Sequence, residues 1–349
     1  MKCNQLWCAV GLVCALPLVA DAATRFVAHT GSDGPDCGST AATACRSISR
    51  AIALAAPGDT ILVGPGRYGD LNRNGVLGDT PGEETGSPGC SCVLSMNKSV
   101  VVLSSAGAAV TIIEGISMNV VQTVVVLSDG EFGRPGKGFT VTETGRRASQ
   151  AGFDFNGHGI GIDAANVKVR GNQVVFSRSG FVSSGIGIFT VSSAPVRIEG
   201  NQVLRWGTGI EVRRAGGAIV SKNQVIGNHS YGIVARGGSV VGNVLTANEN
   251  GLLVFGDTTV SGNVASMNLG GFHVANGFTG VLTKNNIFLN HSCGLLNTVS
   301  GLDATNNYWG VPTGPGVAPP SDDVCNVPGA TATTSPFATE PFKVQILKP

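Results

Sequence analysis

The sequence predicts an all-β solenoid, a chain of short strands wound into coils that stack in parallel, and three observations carry that prediction. Asparagines at Asn172, Asn201, Asn223, Asn243, Asn263, Asn285 and Asn306 close apolar alternating runs and, after a longer first interval, recur about every 21 residues, the mark of one structural coil per repeat. A second element opens on Gly and a bulky residue: Gly161-Ile162, Gly187-Ile188, Gly209-Ile210, Gly232-Ile233, Gly251-Leu252, Gly271-Phe272 and Gly294-Leu295. Composition agrees, since Gly fills 51 positions, charged residues form only 13% and hydrophobic residues 42%. That describes a folded chain full of turns, neither a disordered tail nor a helical bundle. With 23 basic and 22 acidic residues the formal net charge is +1, which gives no electrostatic ground for nucleic acid or anionic lipid as a partner.

At the amino end, Lys2 precedes an apolar stretch from Leu6 to Val19, and Ala20-Asp21-Ala22 supplies small residues where a signal peptidase reads. Residues 1–22 are therefore expected to be a cleaved secretory signal, since the run is too short to span a bilayer and contains Pro17. No membrane span is expected after its removal, and the destination is the periplasm or the extracellular space. Cys3, Cys8 and Cys14 leave with the signal. Cys37, Cys45, Cys90, Cys92, Cys293 and Cys325 remain, an even number in an oxidising compartment, which implies disulfides. Spacing favours Cys37 with Cys45 as a local loop and Cys293 with Cys325 as a staple for the tail. Cys90-Ser91-Cys92 is harder to place: a bridge across one residue is strained, which leaves pairing elsewhere or two thiolates for a soft metal as alternatives, but an oxidised, structural role is the one expected.

Within the coils, runs such as Val196-Arg197-Ile198-Glu199 alternate with period two, which sends one set of side chains inward and the other outward. Leucine-rich repeats share the period, but their Leu-x-x-Leu-x-Leu motif is missing and β-branched residues dominate. The asparagines are expected at corners, because Asn tolerates left-handed backbone and its amide bonds along a stack of like residues. A second column, Asn228, Asn248, Asn268 and Asn290, follows five residues later. The expected organisation is a cap over 23–97 with a disulfide and a calcium loop, coils over 98–310, and a tail over 311–349 that packs on them.

The amino-terminal Phe26-Val27-Ala28 with Gly31-Ser32-Asp33, then Cys45-Arg46-Ser47-Ile48, Ala51-Ile52 and Pro57-Gly58-Asp59-Thr60-Ile61-Leu62-Val63-Gly64-Pro65-Gly66-Arg67-Tyr68, together with the closing Asn306-Asn307-Tyr308-Trp309-Gly310, Gly314-Pro315 and Ser335-Pro336-Phe337, resemble the right-handed parallel β-helix superfamily of pectate lyases, polygalacturonases, alginate epimerases and other exported proteins. The resemblance covers nearly the whole mature chain. It implies a single right-handed parallel β-helix, capped by a short helix over Ser47 to Ala56, and a polysaccharide partner.

Candidate sites are few. Asp70-Leu71-Asn72-Arg73-Asn74-Gly75 matches the start of a calcium loop, with oxygens at positions 1, 3 and 5 and Gly at 6. Position 12 holds Pro81 in place of the bidentate acid, so Asp70, Asn72, Asn74 and Asp79 are the ligands expected for a structural calcium, with Glu83 and Glu84 near. Gly157-His158-Gly159 echoes polygalacturonases, but the paired aspartates and the Arg-Ile-Lys tripeptide are absent, and His158 reads as a turn residue.

Stacking the repeats on their Gly-bulky starts puts Asp163, Phe189, Glu211, Val234, Leu253, His273 and Leu296 in one outward column. Ala165, Val191, Arg213, Arg236, Phe255, Ala275 and Thr298 form another. Arg213 and Arg236 become neighbours at about 5 Å, a cationic spot suited to a uronate or sulfate. Glu211 and His273 lie about 14 Å apart, too far to act as one acid–base pair. Phe189 and Phe255 offer carbohydrate-stacking surface. The function expected is that of a monomeric exported protein binding extended polysaccharide. A lyase or epimerase of uronate polymers is the alternative, with Glu211, Arg213, Arg236 and His273 as its catalytic set. A periplasmic metal-related accessory protein, resting on Cys90 and Cys92, is a further alternative.

Overall fold

The computed structural model describes residues 21–349 apart from 73, 75, 86–89, 116–121, 144–156, 178–183, 215, 317, 346, 348 and 349. The expected signal segment thus lies almost wholly outside the described residues. The rest is a parallel β-helix with three faces, whose strands pair in parallel with counterparts one coil below and above, the end strands of each face on one side only. The first face runs from Cys92–Met96 through His158–Ile162, Ile186–Thr190 and Thr208–Val212 to Val324–Asn326. The second begins at Thr24–Val27, which pairs with Thr60–Val63, so the ladder starts well before residue 98. A separate nine-stranded sheet from Gly66–Gly69 to Asn286–Phe288 forms the third. Tyr231–Val241 and Asn250–Ser261 are long enough to turn from the first face into the second without a break.

Alternation builds the core. Ile160, Ile188, Ile210, Ile233, Leu252, Phe272 and Leu295 stack inward on the first face and meet Val174, Val203, Val225, Leu245, Ala265 and Ile287 of the third, all fully buried. Each large aliphatic contributes about 1.5–3 kcal/mol by burial. The Gly before each bulky residue is explained by close approach: a side chain at Gly209 would collide with Val225 and with the carbonyl oxygen of Gly232 on the next coil. In register, Ile160 and not Ile162 pairs with Ile188, so the equivalent start is Gly159-Ile160.

The asparagine columns are buried ladders. Asn201, for example, donates its side-chain amide to Val169 O at 2.9 Å and to Asn223 Oδ1 at 3.1 Å, while its backbone N–H also reaches that Oδ1 at 2.9 Å. The pattern repeats through Asn223, Asn243, Asn263 and Asn285 to Asn307. The left-handed residues stand one position earlier, at Gly200, Lys222, Gly242, Gly262, Lys284 and Asn306. Asn306 is therefore a corner residue and Asn307 the rung of the ladder. The second column runs Asn228, Asn248, Asn268, Asn290 and ends on the buried carboxylate of Asp322.

The ends are closed differently. Ser47 caps α1 (Ile48–Leu54) by accepting from Arg50 N, and buried Glu84 accepts from Ile48 N at 2.8 Å and Ser49 N at 2.7 Å. Disulfides join Cys37 to Cys45 and Cys293 to Cys325, the latter tying a coil to the tail strand beside it. Cys90 and Cys92 are joined to each other. Beyond, Phe342 exchanges two backbone hydrogen bonds with the Asn286 side chain.

Candidate functional site

The outward residues of the first face form the surface of interest. One column reads Ser95, Val125, Gly161, Phe189, Glu211, Val234, Leu253, His273 and Leu296, each paired with the next. Gly161, not Asp163, is the partner of Phe189. Asp163 belongs to the neighbouring column with Val191, Arg213, Arg236 and Phe255, as the hydrogen bonds Asp163 N to Val126 O, Val191 N to Ile162 O and Arg213 N to Thr190 O show. The offset of two arises because Gly161-Ile162 mimics the Gly-bulky start that strand register assigns to Gly159-Ile160.

Arg213 and Arg236 follow the paired residues Val212 and Ala235, so they stand on successive rungs. Each guanidinium covers an aromatic ring: Arg213 lies 5.0 Å from the centroid of Phe189, and Arg236 4.2 Å from that of Phe255. Such contacts hold the cation in place and leave its edge N–H groups for a ligand. Glu211 is ion-paired with Arg213 at 3.2 Å. His273 sits between Leu253 and Leu296, three rungs or about 14 Å from Glu211, and burial lowers its pKa. The structure thus lines up Phe189, Glu211 with Arg213, Arg236 and Phe255 on four successive rungs, with His273 on the rung after Phe255 and three rungs from Glu211.

Beside Phe189 a groove of about 410 Å³ opens, lined by Cys90, Ser91, Gln122, Val125, Leu127, Gly161, Ile162, Asp163, Phe189 and Val191. It exists because Gly161 places no side chain on its rung. The Gln122 side chain lies across that gap, and its Oε1 is buried with no hydrogen-bond partner. A buried acceptor of this kind favours a ligand that carries hydroxyl donors. His158 is a strand residue, not a turn: its Nδ1 accepts from Ile186 N at 3.1 Å and its ring meets Phe189 edge-on at 4.8 Å. Burial, then the positive charge of Arg213, lowers its pKa to about 4, so the imidazole is neutral at ordinary pH. Sequence reasoning missed Gln122, whose coil carries no clear repeat marker, and set Asp163 one column off.

In the Asp70 loop, Asp79 receives amide N–H groups from Asn72 at 3.0 Å and Asn74 at 2.5 Å, and Asn72 also donates to Thr80. The amide oxygens of Asn72 and Asn74 accept from Asn74 N and Val76 N. Asp79 therefore faces donors where a calcium site needs a ring of oxygens, and the loop in this form does not fit the ion.

The profile of a family described as "Periplasmic copper-binding protein (NosD)" matches residues 107–315, well over half of the chain. The chain belongs to the NosD family. NosD is a periplasmic family, so this is an exported protein. Among solved structures, a "Rhamnogalacturonan lyase" is 14% identical over 92% of this chain and 90% of its own, with a TM-score of 0.60, which shows the shared fold. A second, described as "Crystal structure of pectate lyase Pel9A", is 14% identical over 92% of this chain and 80% of its own, with a TM-score of 0.43. No curated protein matches. No helix among the described residues is long and apolar enough to cross a membrane.

The NosD description names copper, so the donors matter. Among the described residues, no group of three His, Cys, Asp or Glu side chains converges within the matched stretch; Asp33, Cys37 and Cys45 do so outside it, and there the two sulfurs are already bonded to each other. Cys90 and Cys92 also stand outside the stretch, Cys90 on the groove wall and Cys92 buried at the start of the strand beside it. As two sulfur donors they fit a soft ion when reduced.

Proposed function

We propose that this NosD family member binds an extended acidic polysaccharide along its first face. The observation that carries the reading is the pair of guanidiniums, Arg213 and Arg236, each stacked on an aromatic ring on successive rungs beside a groove. Stacked arginines suit carboxylate or sulfate groups repeated along a chain, and Gln122 suits hydroxyls. From the Gly161 rung to the Phe255 rung the surface spans about 19 Å, room for several sugar units.

The reading favours binding over turnover. A uronate lyase or epimerase needs a base beside the neutralised carboxylate, whereas Glu211 is held by Arg213 and His273 stands three rungs away. The test incubates the mature protein with polygalacturonate, alginate and chondroitin sulfate, with and without calcium, and follows retention and unsaturated ends together. Retention without new ends, weakened about tenfold in Arg236→Ala, supports the proposal. Turnover lost in Arg236→Ala would replace it with the enzyme, and no retention on any polymer would end both.

A second reading, a periplasmic copper-handling accessory protein, draws on the NosD description and on the sulfurs of Cys90, on the groove wall, and of Cys92 bonded to it. A structural calcium is proposed only with a rearrangement that turns both amides away from Asp79. A calcium-dependent rise in melting temperature would support it.

A further inference from the structure

We propose that Cys90 and Cys92, once reduced, hold a single cuprous ion at the end of the groove, and that their disulfide is the metal-free resting form. This rests on the copper reading and supplies its site. Of the three disulfides this one has the weakest structural purpose. Cys37 and Cys45 are both buried, and Cys293–Cys325 ties segments 32 residues apart. Cys90 and Cys92 are two residues apart, so their bond constrains the unfolded chain least and fastens no second segment.

Placement gives the pair a chemical use. Cys92 opens a strand of the first face and is buried, whereas Cys90 stands outside that strand, half-exposed on the groove wall. Rung pairing fixes Cys92 against Gln122, whereas Cys90 lies outside the strand and is held to Cys92 by the disulfide, so that opening this bond lets the two sulfurs separate to bracket an ion. Their Cα atoms are 5.2 Å apart.

The donor set selects the metal. Cuprous ion accepts few, soft ligands, and two thiolates are such a set. Structural zinc takes four, and the neighbourhood offers no suitable third: His158 is two rungs from Cys92, about 10 Å, and its Nδ1 is engaged by Ile186 N. Val125, Leu127, Ile162 and Phe189 line the groove together with Ser91, Gln122 and Asp163, none of which offers a sulfur or imidazole to compete with the two thiolates. In the loading step an exported dithiol reductant supplies two electrons and two protons. The sulfur–sulfur bond breaks, each sulfur takes a proton, and the reductant leaves as its own disulfide. Cuprous ion then displaces both protons without changing oxidation state.

The test uses the full mature protein, reduced with dithiothreitol and desalted without oxygen, then titrated with cuprous ion against bicinchoninate. Copper per chain, sulfur coordination by X-ray absorption, and protection of individual cysteines from alkylation are read together. One ion with two sulfur ligands is expected on the reduced protein, with Cys90 and Cys92 protected. The ion is lost in Cys90→Ser and Cys92→Ser, kept in the Cys293→Ser, Cys325→Ser double variant, and absent from the oxidised protein. Should the reduced protein retain no copper, the copper reading falls together with this site. Retention in both Cys90→Ser and Cys92→Ser, or alkylation of Cys90 and Cys92 in the loaded protein, overturns the site while that reading stands. The alkylation pattern of the unmutated chain decides even if a variant fails to fold.

Discussion

Above Asn172 the corners of the coil are closed by repetition, and below it by individual contacts. In the upper half each corner asparagine passes its amide to the next, all in one direction. In the lower half, buried Glu131 receives Arg134 at 2.6 Å and also Arg170, Glu114 receives Arg67, and Phe132 stacks on Phe139 at 4.8 Å. Trp206 opens the second column, one coil into the upper half. It occupies the ladder position below Asn228, donating backbone N–H to Asn228 Oδ1 and indole N–H to Val174 O. The regular half has little freedom to vary a coil, whereas the irregular half can leave a gap such as the one over Gly161. The groove opens there for that reason.

The largest expected effect lies in the ladder. Asn243→Ala removes two donor and two acceptor contacts at a fully buried position. It should cost at least about 3 kcal/mol in urea unfolding, since each orphaned buried group costs about 1–3 kcal/mol. A loss below about 1 kcal/mol would mean that the columns do not hold the upper coils together. Next come the disulfides. Replacing Cys293 and Cys325 by Ser should cost about 3–4 kcal/mol, and replacing Cys90 and Cys92 about half of that, because the loops they close differ in length. Equal losses would erase the distinction between staple and site.

Glu131→Gln tests the charged corner, with an expected loss of about 2 kcal/mol. Burial alone would raise the Glu131 carboxyl, but hydrogen bonds from Arg134 and Arg170 outweigh it and leave the pKa lowered. Its contribution is therefore full above the unfolded value and lost as pH falls through the lower folded one; Glu131→Gln should flatten acid unfolding in that window. The smallest effect concerns His158. Its pKa, near 4 by burial and by Arg213, means the folded state loses stability as pH drops from about 6.5 towards 4. A proton-resonance titration of the ring should show a midpoint near 4, and one near 6.5 would place the imidazole in open water.

The fold was legible because period and alternation are properties of the chain itself. Arg213, Arg236, Phe189 and Phe255 could be placed correctly because the coils above Asn172 follow the period closely. Two errors share one cause. Gly161 mimics Gly159, and Asn306 mimics Asn307, because Gly and Asn repeat within one or two positions at these corners and only hydrogen-bond register decides between them. The groove could not be read at all: it depends on what Gly161 lacks and on Gln122 and Cys90, which themselves lie in unmarked coils.

Because every amide in the Asn201 to Asn285 column makes the same bonds in the same direction, a whole turn such as residues 243–262 meets its neighbours as any other turn would. Deleting or duplicating it keeps the joints matched and changes only the reach of the outer face, by one rung of about 4.8 Å. The molecule is in that sense a ruler with interchangeable divisions, and its length can be adjusted by evolution or by hand without redesigning either end.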